Sequence, residues 1–296
     1  MACGSSDEPA GPGGPLTTGS TPITSPSPTS SPSTTDSTTP TTTAYTDFSS
    51  LGPLPVAETS GTLEQPDCSL DYVLFTPDGL DDAPLVVLGH GFSRRARHMA
   101  DLARHVASYG LRVATPDYCH STPFDTDHEA NGLDAAALSA ELAGGGPVVH
   151  AGYSAGGLAA LLAAAADPST VAVMGLDPVD SGGRGAEALA EGLPPTWGLL
   201  GEPSACNEQS NLLEPLRGAG ASVSAVPGST HCDFEAPTDG LCTTFCGDAT
   251  GVTPLVSALL TAWSVHYLGD DDTTEAWLPG GERYDELVDL GLLISL

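Results

Sequence analysis

Residues 146–167, GPVVHAGYSAGGLAALLAAAAD, most narrow what this chain can fold into. An apolar, valine-containing run reaches Gly152-Tyr153-Ser154-Ala155-Gly156 and gives way at once to an alanine- and leucine-rich stretch. The run lacks polar alternation, as a strand buried on both faces does, and the second part suits a helix. Strand, glycine-rich turn and helix form the repeating step of a parallel sheet covered on both sides.

The rest of the chain carries the same alternation. LDYVLFT (70–76), APLVVLGHG (83–91), LRVATPD (111–117), VAVMGLD (171–177), TWGLLGE (196–202) and ASVSAVPG (221–228) read as strands. RARHMADLARHVASYG (95–110) has apolar positions at helical spacing and Gly110 as a stop. GLDAAALSAEL (132–142), with Asn131 as a candidate opener, LLEPLRG and VTPLVSALLTAWSVHYLG (252–269) read as further helices, and GERYDELVDLGLLISL reads as helical too. The expected fold class is α/β: a mostly parallel sheet flanked by helices on both faces.

Not all of the 296 residues belong to that domain. From Gly4 to about Thr43 the chain is nearly all Ser, Thr, Pro and Gly, too poor in apolar surface to offset the entropy of ordering. Residues 1–50 therefore read as a tether and 51–296 as one domain. Met1-Ala2-Cys3-Gly4 looks like the start of a bacterial lipoprotein, with lipid on Cys3 as the expected membrane link. Acidic residues number 38 against 8 basic ones, all Arg, for a net charge of -30. Such a balance argues against nucleic acid and anionic membrane as partners. Leaving Cys3 aside, Cys68, Cys119, Cys206, Cys232, Cys242 and Cys246 make an even set, expected as up to three disulfides in an exported protein. Cys232 with Cys206 is the favoured bridge, since both lie in loops after successive strands; Cys242 and Cys246 are the alternative partners. A metal set of His231, Cys232, Cys242 and Cys246 matches no standard zinc spacing.

Ser154 sits where a strand turns sharply into a helix. That context gives G-x-S-x-G its meaning: the serine is forced into a strained backbone conformation, and larger side chains two residues either side would clash. The bland alternative is a glycine-rich turn with a capping serine. A hydroxyl needs a base, and His231, in VPGSTHCDF, follows the last strand by a short loop. His266 lies inside a helix pattern and reads as structural. Three acids compete to orient the imidazole: Asp177 at the end of the strand after the Ser154 helix, which is favoured, Glu202 at the end of the next strand, and Asp180. Backbone N–H groups of Phe92 and Ala155 are the expected oxyanion donors, with His90 bonding the loop that carries Phe92. Arg94, Arg95 and Arg97 read as a solvated helix face, or else as a lure for an acidic substrate.

These residues resemble the α/β-hydrolase superfamily: LGHGF, GYSAGG, LDPVD and STHCDF stand in its order across residues 84–235. GLDPVD is similar to the chlorophyllase branch, which, like the platelet-activating-factor acetylhydrolases, takes its acid from this strand. That resemblance favours Asp177. HGFSRRARHMADLARHVASYGLRVATPDY resembles bacterial polyester hydrolases and cutinases, although Leu176-Asp177-Pro178 stands where those enzymes carry a cleft tryptophan. Dienelactone hydrolases are looser relatives with a cysteine in place of Ser154. The resemblance implies a serine esterase that works through an acyl-enzyme, needs no metal or organic cofactor and acts on an ester substrate. With the Cys3 start and the even cysteine set, the chain is expected as a monomer, exported as a cell-envelope lipoprotein or secreted. Polyester hydrolysis, or a silent binding protein on the same scaffold, are the alternatives. The short span from Asp177 to Trp197 leaves no room for a large lid, so an open cleft is expected.

Overall fold

Alternate residues of one short apolar run point into two different cores. In β3 (Leu85–Gly89), following β1 (Val56–Glu64) and β2 (Ser69–Pro77), all five residues are buried. Val86 and Leu88 join one apolar cluster, Leu85 and Val87 another. A strand with both faces covered has no solvent side on which polar residues can sit.

The computed structural model describes residues 45–296. After β3 come α1 (Ala100–Ala107), β4 (Arg112–Asp117), a small hairpin of β5 (Ser121–Thr122) and β6 (Asp125–Thr126), and α2 (His128–Ala143). β7 (Val148–Tyr153), α3 (Ala155–Ala166), β8 (Thr170–Leu176), α4 (Arg184–Glu191), β9 (Thr196–Leu200), α5 (Leu213–Gly218) and β10 (Ser222–Ala225) continue the alternation. The chain ends with α6 (Gly240–Cys246), α7 (Thr253–Leu268), α8 (Glu282–Asp289) and β11 (Ile294–Ser295).

The sheet has nine strands in the order β1-β2-β4-β3-β7-β8-β9-β10-β11. From β4 to β10 every neighbour is parallel. β1, β2 and β11 add antiparallel edges. Helices cover both faces. α1 and α7 pack Leu102, Val106, Leu259 and Trp263 against Val86, Val149 and Met174. α2 and α3 pack Leu138, Ala159 and Ala163 against Leu85, Val87 and Val148, and α4 and α5 extend that layer. The sheet is thus mixed and mostly parallel, as the apolar pattern implied. No helix among the described residues is long and apolar enough to cross a membrane.

Several elements differ from the sequence expectation. β1 escapes the apolar pattern because it is an edge hairpin strand whose residues are mostly exposed. The C-terminal stretch is helical only to Asp289; Ile294–Ser295 then pair with β10. α2 begins at His128, not Gly132, because Asp127 caps it by accepting from the N–H groups of Glu129 and Ala130, each at 3.1 Å. Asn131 instead ties to the backbone of His120 through both ends of its amide. Tyr45–Ser50, assigned by composition to the tether, lie against the domain: Phe48 is fully buried beside Tyr109 and Trp277. Cys3 and the rest of the tether fall outside the described residues.

Candidate active site

β3, β7, β8, β9 and β10 run parallel, so their C-terminal ends share one sheet edge. Loops leaving those ends carry Phe92, Ser154, Asp177, Glu202 and His231.

Ser154 links β7 directly to α3, with φ 56° and ψ -122°. An L-residue adopts such angles only under strain, at a cost on the order of 1–3 kcal/mol. Neighbouring backbone imposes them: Ser154 donates its N–H to Leu176 O at 3.0 Å, and its carbonyl accepts from Gly157 and Val179. The flanking glycines permit the turn. A Cβ on Gly152 would lie 2.1 Å from Gly156 O, and one on Gly156 would lie 2.4 Å from Gly89 O. Ser154 Oγ makes no capping bond to α3, so the capping-serine alternative has no support. Its hydroxyl faces a cleft that His231 also lines.

Asp177 follows β8 and is fully buried. Its Oδ2 lies 2.5 Å from His231 Nδ1. Its Oδ1 accepts from Gly201 N at 2.9 Å and from Asn207 Nδ2 at 3.1 Å. A carboxylate held this way makes Nδ1 the protonated nitrogen of His231 and leaves Nε2 to accept. No hydrogen bond joins Ser154 to His231 among the described residues; such contacts commonly tighten only when substrate binds.

The competing acids are occupied elsewhere. Glu202 is exposed, and its carboxylate accepts from Gly228 N at 2.9 Å, shaping the loop after β10. Asp180 accepts from Gly185 N and Ala186 N in the first turn of α4. His266 bonds Thr274 from within α7, as a structural histidine would.

His231 is packed against the Tyr153 ring, with centroids 4.7 Å apart. Asp233, fully buried, pins the same turn by accepting from the N–H groups of Thr230, Thr250 and Gly251. The disulfides here are Cys232–Cys242 and Cys206–Cys246, while Cys68–Cys119 joins the start of β2 to the loop after β4. The favoured Cys206–Cys232 bridge is therefore wrong. Both partners do lie near the site, but α6 comes between them and supplies one cysteine to each. The cysteines of the alternative metal set are spent in these bridges and offer no thiolate.

Phe92 and Ala155 both line the cleft system around Ser154, and neither donates its N–H to another backbone group within the described residues. Ala155 N is the first of the helix donors that an α-helix leaves free. Behind Phe92, His90 is buried and stays neutral near pH 7, its pKa lowered by burial to about 4. Its Nδ1–H donates to Gly91 O at 2.8 Å, and its Nε2 accepts from Tyr118 N at 3.1 Å.

Arg94 corrects the sequence reading. Its side chain is buried, not solvated, and grips Glu235 with two nitrogens at 2.7 and 2.5 Å. A third nitrogen reaches Asp239 at 2.9 Å. Asp239, which also caps α6, is held well below the usual carboxylate range: Arg94 and His98 outweigh the desolvation that would raise it. This pair ties the Phe92 loop to the loop carrying His231. Arg95 only approaches Asp117, at 4.0 Å. Arg97 caps nothing and remains a solvated residue.

Sequence reasoning missed Asn207, Glu235 and Asp239. Asn207 opens a turn in which Glu208, Gln209 and Ser210 all have positive φ, a conformation that these residue types do not announce. Glu235 and Asp239 carry no motif; only the fold brings them to Arg94. No protein-family model matches this chain, and no curated protein is found to be similar to it.

Proposed function

We propose that this protein is a serine hydrolase of carboxylic esters, of the α/β-hydrolase type, in which Ser154 is the nucleophile, His231 the base and Asp177 its orienting acid. The observation that carries the reading is the 2.5 Å link from His231 Nδ1 to the fully buried Asp177, beside a serine at φ 56° in the same cleft. Ser154 Oγ attacks the ester carbonyl carbon while its proton passes to His231 Nε2. The carbonyl oxygen becomes an anion facing the N–H groups of Phe92 and Ala155, at the N-terminal end of α3. The bond to the alcohol then breaks, and His231 returns the proton to the departing oxygen. Water repeats both steps on the acyl-enzyme and frees Ser154.

Three disulfides fit a protein that folds in an oxidising compartment, which supports export. The test is labelling with a fluorophosphonate probe. Adduct at Ser154, absent from Ser154→Ala, together with a loss of ester turnover of roughly a thousandfold or more, is the expected result. Appreciable turnover by pure, folded Ser154→Ala overturns the assignment.

A further inference from the structure

Two clefts of contrasting chemistry meet at Ser154. Each has a volume of about 500 Å³, and they share Phe92, Ser154 and Cys206. The first is walled by Pro123, Tyr153, Leu241 and Phe245 with the two disulfides behind them. Its one cation, Arg94, is already matched by Glu235 and Asp239. Leu241 and Phe245 stand on α6 with half and three quarters of their surface open to solvent, an exposure that costs free energy unless something apolar covers them. The second cleft is lined by Thr126, His128, Asp180, Ser181, Glu208 and Asn211. Burial and then the neighbouring Arg184 hold His128 below its ordinary pKa, so it offers hydrogen bonds near pH 7 and no charge. Arg184 itself is engaged with Glu129.

His231 lines the apolar cleft and not the polar one. That asymmetry orients an ester. The general acid must reach the departing oxygen, so the alcohol lies on the His231 side. At the tetrahedral carbon, with Ser154 Oγ, the oxyanion and the alcohol oxygen placed, the acyl substituent takes the remaining direction, toward Val179 and Asp180.

Resting on the serine-hydrolase reading above, we propose that the substrate is an ester of an apolar alcohol with a polar acyl group that carries no negative charge. Leu241 and Phe245 hold the alcohol, and the cleft of Thr126, Asp180 and Glu208 takes the acyl group. The two carboxylates there, within a chain of net charge -30, repel an anionic acyl group. A hydroxy acid, whose hydroxyl can donate to them, fits.

The experiment measures kcat/KM of the full chain on two ester series. With lactate as the acyl group, lengthening the alcohol from ethyl to butyl to hexyl should raise kcat/KM by up to roughly fourfold per buried methylene. With hexanol as the alcohol, lactate should exceed propanoate by about tenfold or more, since a site that bonds a hydroxyl rejects the analogue lacking it. Hydrogen succinate should be poorest. Phe245→Ala should lower the hexyl-to-ethyl ratio, and Glu208→Gln should raise hydrogen succinate relative to lactate. A rate that falls as the alcohol lengthens, or a preference for propanoate, overturns the proposal. Fluorophosphonate labelling run in parallel separates the two levels. Labelling at Ser154 with reversed selectivity overturns this inference alone; no labelling and no turnover overturn the hydrolase reading and this inference together.

Discussion

Ser154 sits in a turn shaped by its own chain neighbours and tied to the adjacent strand, whereas His231 is held by side chains far from it in the chain. Around the serine, the packing of Gly152 on Gly156, the strand before and the helix after shape the turn within a few residues, and the backbone of Leu176 and Val179 at the end of the next strand ties it down. Around the histidine, Asp177 reaches across 54 positions, and Arg94 grips Glu235 across 141. Two disulfides add α6 to the same scaffold. The lesson is physical. A strained turn can be stored in local backbone geometry, whereas an imidazole on a loop needs several separate links, each of which can be cut alone.

Cutting the direct link to the imidazole is expected to have the largest effect. On the proposed mechanism, Asp177→Asn should lower kcat by about 10⁴, because the wrong tautomer of His231 is then favoured. Glu202→Gln should change it only a few-fold, since that carboxylate serves Gly228. Steady-state kinetics of the two variants decide the matter; a larger loss in Glu202→Gln would reverse the assignment of the acid.

The clamp between the two halves comes next. Arg94→Met leaves Glu235 as a buried carboxylate without its cation. The expected cost is about 3–5 kcal/mol, with much of it recovered in Arg94→Met/Glu235→Leu. Urea unfolding of the single and double variants measures this. Equal stability of Arg94→Met and the parent would show that the clamp contributes little.

The disulfides should separate stability from activity. In the chain-entropy model, the Cys206–Cys246 bridge, spanning 40 residues, contributes about 4 kcal/mol and the Cys232–Cys242 bridge, spanning 10, about 3. Yet Cys232 is the neighbour of His231. Cys232→Ser/Cys242→Ser should therefore lose more turnover than Cys206→Ser/Cys246→Ser while losing less stability. Thermal melts and ester kinetics on both pairs would expose the opposite ranking if it held.

The smallest effect belongs to the half that carries Ser154. His90 is held at about 4 by burial, against an ordinary 6.5. Between those values the unfolded chain takes up a proton that the native state refuses. The contribution of His90 to stability is thus complete above about pH 6.5 and is lost as pH falls toward 4, by about 3 kcal/mol. His90→Gln should flatten that part of the stability profile. Identical slopes for variant and parent would mean that His90 is not kept neutral by its site.

The contrast also explains what could be read in advance. β3, β7 and α3 were legible because burial on both faces leaves unbroken apolar runs, and the elbow was legible because close backbone approach admits only glycine. β1 was not, since an exposed edge strand needs no apolar pattern. Asp177 could be ranked above Glu202 and Asp180 only by resemblance, because all three end a strand or follow one closely. Arg94 was misread for a related reason: a run of arginines looks solvated until the acidic residues that bury it are known. The cysteine pairing failed likewise, because α6 inserts between the loops that bring Cys206 and Cys232 near each other.

By itself, the sequence determined the α/β alternation, the parallel centre of the sheet, the Ser154 turn and the edge at which the candidate residues gather. These follow from local sterics and from the side-chain period, both of which are written along the chain. Tertiary structure alone decided which carboxylate faces His231, which cysteines pair, how Arg94 is neutralised, and that an apolar and a polar cleft meet at Ser154. Each of these depends on distances between segments tens to more than a hundred residues apart, which only the packing of the whole domain sets.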